Sequence, residues 1–215
     1  MKIGVFDSGI GGKAIADKLQ ADYPNSEVLY VDDRKNVPYG SRSQDEIVRL
    51  TDTAIQPLLA QNCDVIVLAC NTATAAAIEI LKDRYPETPF VGLEPMVKPA
   101  ALLTQSGVIA ICATPFTLSS GRYASLKENY ANDVTVLEPD CSKWASMIES
   151  DQTDTQAIAT IINDVCEAGA DVIVLACTHY HWIKEEIIKI ANGRAEVIDP
   201  SEAISHRVGT VLGIN

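Results

Sequence analysis

The run Asp64-Val65-Ile66-Val67-Leu68-Ala69-Cys70 recurs letter for letter as Asp171-Val172-Ile173-Val174-Leu175-Ala176-Cys177. Each copy is a short apolar stretch that ends in a cysteine and leads at once into a helix-like segment. A β-branched run of this length without polar alternation is the pattern of a strand buried on both faces. Its recurrence more than a hundred positions later implies two related halves, each placing one thiol at the same structural point. Two such thiols can face each other across a cleft, which suits chemistry needing two opposed acid/base groups.

The rest of the chain repeats this alternation. Strands are expected at Lys2–Phe6, Val28–Val31, Val65–Ala69, Phe90–Gly92, Val108–Cys112, Val134–Leu137, Val172–Ala176 and Val197–Ile198. Helices are expected at Gly12–Asp22, Gln44–Gln61, Thr72–Tyr85, Lys98–Gln105, Ser119–Tyr130, Thr155–Ala168, Tyr180–Ala191 and Ser201–Val211. Ile47, Leu50, Ala54 and Leu58 give the second helix one apolar face, and Pro57 is expected to kink it or end it early. The order reads as α/β, with parallel sheets covered by helices. A boundary falls near Leu93-Glu94-Pro95-Met96 and another near Asp199-Pro200, with the last helix returning to the first half. The expected domains are therefore 1–94 plus 200–215, and 95–199.

Composition excludes several classes. With 47% hydrophobic and 21% charged residues, the chain resembles an ordinary globular protein. A net charge of −12 disfavours nucleic acid, which needs a Lys/Arg-rich face, and argues weakly against an anionic membrane surface. No apolar run approaches a membrane span, and Met1–Asp7 is too short and too early-charged for a signal peptide. A cytoplasmic protein is expected. The six cysteines do not read as a disulfide framework in a chain of this size and are expected to be mostly free. No CxxC pair exists, and the three histidines lack zinc-finger spacing, so no structural metal site is expected. Cys63, Cys112 and Cys166 are expected to be plain core.

In open α/β sheets, ligands bind beyond the carboxyl ends of the strands, and polar residues cluster there. Asp7-Ser8-Gly9-Ile10-Gly11-Gly12 follows the first strand. Its glycines permit a tight turn, but the dinucleotide spacing is absent; a carboxylate and a hydroxyl there suit an ammonium group, or simply cap a helix. After the second strand, Asp32-Asp33 leads into Val37-Pro38-Tyr39-Gly40-Ser41-Arg42-Ser43, with Ser43 a candidate N-cap. Cys70-Asn71-Thr72 and Cys177-Thr178-His179 end the repeated strands. A thiol at a helix N-terminus is expected to have its thiolate favoured by the dipole and free N–H groups. Asn71, Thr72 and Thr178 can hold a carboxylate. Thr114 to Ser120 is an anion cradle or a capped helix start.

Opposed thiols allow a proton to leave one face of a carbon and return on the other, which inverts the centre. The Cα–H of an amino acid is very weakly acidic, so such a site must stabilise a carbanion by positioning and preorganised donors. Nothing in the sequence suggests a Schiff-base lysine or phosphate cup for pyridoxal phosphate, so no cofactor is expected.

Together Val5–Gly12, Val37-Pro38-Tyr39-Gly40, Ala69-Cys70-Asn71-Thr72-Ala73 and Leu175-Ala176-Cys177-Thr178-His179-Tyr180 resemble the aspartate/glutamate racemase family. The Thr114-x-x-Thr117-x-x-Ser120-x-x-Tyr123 loop and the Cys141 to Glu149 spacing match too, in order along nearly the whole chain. The resemblance implies two similar doubly wound α/β domains related by pseudo-two-fold symmetry, with the active site at their interface. It implies cofactor-independent conversion of L-glutamate to D-glutamate, supplying D-glutamate for peptidoglycan. Cys70 and Cys177 would be the catalytic acid/bases, assisted by Asp7, His179 and Glu149. Asp7 and Ser8 would hold the amino group. Pro38, Tyr39, Gly40, Asn71, Thr72, Thr178 and His179 would line the substrate site, and Thr114 and Thr117 would join the carboxylate pocket.

The chain also departs from that family. It closes sooner after Cys177, which is expected to weaken the first domain or leave a face for a partner subunit, a homodimer being the assembly considered. His181 stands where proline is usual, and Asn36 where arginine is common. Racemisation of aspartate or another amino acid, a non-catalytic amino-acid-binding protein on the same scaffold, and a thiol redox or metal role stay open as alternatives.

Overall fold

Strands whose side chains are apolar on both faces need helices on both sides of the sheet, and the chain meets that need twice. The computed structural model describes residues 1–214. The chain divides into two compact units, Met1–Glu94 with the segment from Pro200 onward, and Pro95–Asp199. Asn215, the last residue of the expected first domain, lies outside the described residues.

The first unit runs β1 (Lys2–Asp7), α1 (Gly12–Asp22), β2 (Glu27–Asp32), a 3₁₀ turn at Arg34–Asn36, α2 (Gln44–Ala60), β3 (Val65–Leu68), α3 (Asn71–Arg84) and β4 (Phe90–Gly92). Its four strands are parallel in the order β2-β1-β3-β4. All four residues of β3 are buried, as its unbroken apolar run requires. Ile3, Val5, Ile15, Leu19, Val65, Val67 and Leu93 form a core on one face.

The second unit runs α4 (Val97–Leu103), β5 (Val108–Ala113), α5 (Pro115–Ser119), α6 (Gly121–Tyr130), β6 (Thr135–Leu137), α7 (Trp144–Glu149), α8 (Thr155–Glu167) and β7 (Val172–Ala176). A 3₁₀ turn at Thr178–Ile183 follows, then α9 (Lys184–Ala191) and β8 (Glu196–Ile198). The strand order is β6-β5-β7-β8, again all parallel. The last helix, α10 (Ser201–Leu212), belongs to the first unit. Its Ile204 and Val208 enter that core, and the Tyr23 hydroxyl donates to the Ser205 carbonyl at 2.7 Å.

The duplicated strands β3 and β7 therefore occupy the same place in sheets of the same order. The repeated aspartate also does the same work in each copy. Asp64 accepts from the Lys2 N–H at 2.7 Å, and Asp171 accepts from the Gln105 and Ser106 N–H groups at 2.7 Å each. Both carboxylates pin the chain that enters the neighbouring strand. In each sheet the strand order reverses beside the first strand, and this reversal opens a crevice at the carboxyl ends of β1 and β3, or of β5 and β7.

Several local expectations needed correction. Helix α2 continues through Pro57 to Ala60. The proline lies within one turn of the helix end, so the missing N–H removes one bond without breaking the helix. Its start is a full capping box, with the Ser43 hydroxyl accepting from Glu46 N and the Glu46 carboxylate accepting from Ser43 N, a device contributing about 1 kcal/mol. The expected helix from Tyr180 begins instead as the 3₁₀ turn. Tyr180 is drawn fully inside, where its hydroxyl donates to the Cys141 carbonyl at 3.0 Å and its ring meets Trp144 edge-on at 5.1 Å. Thr114 to Ser120 takes the capped helix start, with Thr114 capping α5, whereas α7 lies outside the expected helices. Cys63 and Cys112 are core residues, but Cys166 is only half-buried. All six cysteines are free. Among the described residues, no helix is long and apolar enough to cross a membrane.

Candidate active site

Asp7 and Ser8 leave β1 at the crevice of the first sheet, and Cys70 leaves β3 beside them. Strand pairing sets this neighbourhood: Phe6 lies opposite Leu68, and the Ala69 N–H donates to the Phe6 carbonyl at 2.7 Å. The Ser8 hydroxyl thus comes within 3.3 Å of the Cys70 sulfur, across 62 positions of sequence. Asp7 is fully buried. Its Oδ2 accepts from the Gly9 N–H at 3.0 Å and the Gly12 N–H at 3.1 Å, so the glycine turn fixes the carboxylate.

Cys70 caps α3, its sulfur accepting from the Ala73 N–H at 3.4 Å. The expected preference for thiolate is overturned here. Burial, reinforced by the Asp7 charge, pushes the Cys70 thiol up to about 11 against the opposing bonds from Ser8 and Ala73. Desolvation of a sulfur anion outweighs the helix terminus at a site with no exposed face. The resting thiol is therefore a proton donor at neutral pH. A titration of ultraviolet thiolate absorbance, taken as the difference between the parent and Cys70→Ser, is expected to show a midpoint near 11. A midpoint at the ordinary value of about 8.5 would refute this account.

Asn71 and Thr72 follow at the start of α3, each 3% exposed. The amide oxygen and nitrogen of Asn71 are both buried without a hydrogen-bond partner among the described residues. A buried amide left in this state costs about 1–3 kcal/mol, and one beside a thiol and a carboxylate is suited to a polar ligand. Pro38 is exposed, Gly40 partly so, and Tyr39 between them is buried, its ring 6.4 Å from that of Phe6. Burial and the Asp33 carboxylate push the Tyr39 phenol far above its usual range, and Cys70 adds to this. Tyr39 therefore stays a neutral donor.

In the second unit, Ala113 pairs with Ala176, so Thr114 and Cys177 leave adjacent strands at the matching crevice. Thr114 caps α5 and its hydroxyl lies 3.0 Å from that of Thr117. Cys177 precedes a 3₁₀ turn rather than an α-helix, so it lacks the aligned dipole expected for it. Its sulfur instead lies 3.8 Å from Nδ1 of His179, whose Nε2 is 2.7 Å from the Glu149 carboxylate. A proton on Nε2 directed at Glu149 leaves Nδ1 free to accept from the thiol. Thr178 and His179 are buried next to it. Glu149 reaches this group from the end of α7, and the Cys141-to-Glu149 spacing is the span that carries it there.

Tyr123 and Cys141, both in the motifs that carry the resemblance, serve as supports. The Tyr123 hydroxyl donates to Glu138 at 2.8 Å and ties α6 to the chain leaving β6. Cys141 hydrogen-bonds Cys112, and this contact with burial pushes its thiol far above the usual range. Cys141 is thus an inert packing group. Among the described residues, no cluster of three or more His, Cys, Asp or Glu side chains is arranged to hold a metal ion.

Two α/β units of one strand order, each presenting a thiol with its own proton-handling neighbours at the topological switch, define a racemase-type scaffold. A profile of the family described as Asp/Glu/Hydantoin racemase matches residues 13–207, and the chain belongs to that family. The glutamate racemase of Ectopseudomonas mendocina is 38% identical over 215 residues, covering 98% of this chain and 82% of the relative. Escherichia coli glutamate racemase, crystallised with L-glutamate and the activator UDP-MurNAc-ala, superimposes with a TM-score of 0.88 at 27% identity, over 99% of this chain and 82% of that one. Francisella tularensis glutamate racemase in complex with D-glutamate gives a TM-score of 0.81 at 30% identity, over 99% and 81% of the two chains.

Proposed function

We infer that the protein is a cofactor-independent amino-acid racemase that interconverts L- and D-glutamate by two-base proton transfer at Cα, supplying D-glutamate for peptidoglycan. The observation that carries this reading is the equivalent thiol at the end of β3 and of β7, each with a distinct set of proton-handling partners. In this reading 1–94 with 200–215 and 95–199 act as the two domains, and both thiols must address one stereocentre. The function belongs to the cytoplasm, and the ligand is a small amino acid.

The chemistry follows from the separate environments. One sulfur, as thiolate, takes the Cα proton while the other, as thiol, delivers a proton to the opposite face; reversal exchanges their roles. Because Asp7 contributes to the raised Cys70 thiol, an ammonium bound by Asp7 and Ser8 offsets that charge and lowers the cost of forming thiolate. The substrate thereby activates its own base. Cys177 passes its proton toward Nδ1 of His179, whose ring is held in place by the Glu149 carboxylate 2.7 Å from Nε2. Asn71, Thr72 and Thr178 hold a carboxylate in the water-poor site, and Thr114 and Thr117 take part on the other strand.

Incubation with L-glutamate in deuterated water is expected to yield D-glutamate labelled at Cα. Folded protein that exchanges neither enantiomer would remove this reading, and turnover of aspartate in preference to glutamate would change the substrate. Glu149→Gln preserves the shape of the bond to His179 but not its charge. A charge-assisted bond exceeds a neutral one by about 1–1.5 kcal/mol, so kcat is expected to fall roughly fivefold to tenfold in a protein that still unfolds cooperatively. An unaltered kcat would take Glu149 out of the mechanism.

A further inference from the structure

Asp33 lies in the segment after β2, outside the groups given a role so far, yet it is held at several points. Its own N–H donates to the Asp7 carbonyl at 3.1 Å, which ties it to the catalytic strand end. Both of its carboxylate oxygens accept from the Asn36 amide, at 2.8 and 3.0 Å. One of them also accepts the Tyr39 hydroxyl at 2.7 Å. Asn36 is fixed in turn: its carbonyl accepts from Nε and Nη2 of Arg42, at 3.0 and 2.8 Å. The Arg42 N–H closes the turn on the Tyr39 carbonyl at 3.0 Å.

The loop from Arg34 to Arg42 is therefore organised around one carboxylate. Tyr39 is 2% exposed, and a buried phenol needs an acceptor; Asp33 supplies it. Asn36 closes the 3₁₀ turn and Tyr39 follows in the loop, so both partners of the Asp33 carboxylate come from within six residues of it. Asn36 fits the Asp33 carboxylate as a neutral amide, leaving Arg42 to brace the loop from the far side.

We propose that Asp33 is the positioning residue of the substrate-binding loop, setting Tyr39 and Gly40 in place before glutamate arrives. This rests on the assignment of Tyr39 and Gly40 to the substrate site. Asp33 does not touch the reacting atoms, so it contributes binding that is equal in ground and transition states. Its loss should be read in KM rather than kcat.

The test compares Asp33→Ala and Asp33→Asn with the parent in steady-state racemisation of both glutamate enantiomers, and in amide hydrogen exchange of residues 34–42 without substrate. Asp33→Ala is expected to raise KM about tenfold for each enantiomer, with kcat held within about threefold, as loss of uniform binding requires. Exchange in the loop should accelerate, with the rest of the first unit unchanged. Asp33→Asn, whose amide oxygen still accepts from Tyr39, is expected to recover most of the KM. A fall in kcat at constant KM, or exchange in the loop equal to that of the parent, would overturn the proposal. Should Asp33→Ala fail to fold, Asp33→Asn and Tyr39→Phe carry the same two readouts, with the larger effect expected in Tyr39→Phe and the reverse order counting against it. A parent protein that does not racemise glutamate would defeat the functional reading, while the exchange data would still judge the positioning.

Discussion

Replacing Cys70 or Cys177 with serine will lower racemisation of glutamate by at least about a thousandfold in either direction, in line with the 10²–10⁴-fold contributed by one positioned acid/base. Each direction uses one sulfur as base and the other as acid, so neither single variant retains a complete path. The two losses are not equivalent, however. With one thiol left, a substrate whose Cα–H faces it can still give up its proton and regain one on the same side. Each variant should therefore wash deuterium into one enantiomer without inverting it, and the two variants should select opposite enantiomers. Proton NMR of D- and L-glutamate in deuterated water measures both effects. Substantial racemisation by both single variants would eliminate the two-base scheme. So would a single variant that labels both enantiomers.

Gly12→Ala will be the most damaging substitution outside the reacting groups. A Cβ at Gly12 would lie 2.3 Å from Cβ and 3.0 Å from Cγ of Asp7, and 3.3 Å from the Tyr30 ring. Cβ of Asp7 is bonded to the main chain of β1, so relief requires the first turn of α1 or the strand end itself to shift. That repacking costs about 1–3 kcal/mol. It also draws the Gly12 N–H away from the Asp7 carboxylate it now holds at 3.1 Å. A misplacement near 1 Å costs about a hundredfold in rate, so kcat/KM should drop by about that much in protein that is still folded. Gly121→Ala supplies the control, because nothing lies within 4 Å of a Cβ added there. That variant should match the parent in activity and urea midpoint. A Gly12→Ala protein with parental activity would show that the Asp7 carboxylate is not held by this turn.

Much of the architecture was legible in the residues because parallel strands buried on both faces leave a simple signature. Val65–Leu68 and Val172–Ala176 could be located from unbroken β-branched runs, and the glycine turn after β1 from its composition. Helix α2 was visible from its apolar face and from Ser43 as a candidate N-cap, and the structure completes that cap with Glu46. Other elements carried no such periodic signal. Helix α7 is only a turn and a half long, too short to show a period, and is held by Trp144 against Tyr180. The 3₁₀ turn after Cys177 exists because Tyr180 is pulled inward to Cys141, and no local propensity announces that. The continuation of α2 past Pro57 was likewise a matter of position, since a proline in the last turn sacrifices little.

The sequence alone determined the repeated thiol-tipped strand, the α/β class and the residues at the strand ends, because short-range periodicity and residue chemistry encode them directly. It could not determine what those residues do to one another. That Ser8 meets Cys70, that Glu149 orients His179 and that Asp33 holds Tyr39 depend on strand register and helix placement. The raised Cys70 thiol is tertiary in the same sense. A local helix terminus favours the anion, but burial among residues distant in sequence removes the water that would stabilise it, and the long-range term is the larger.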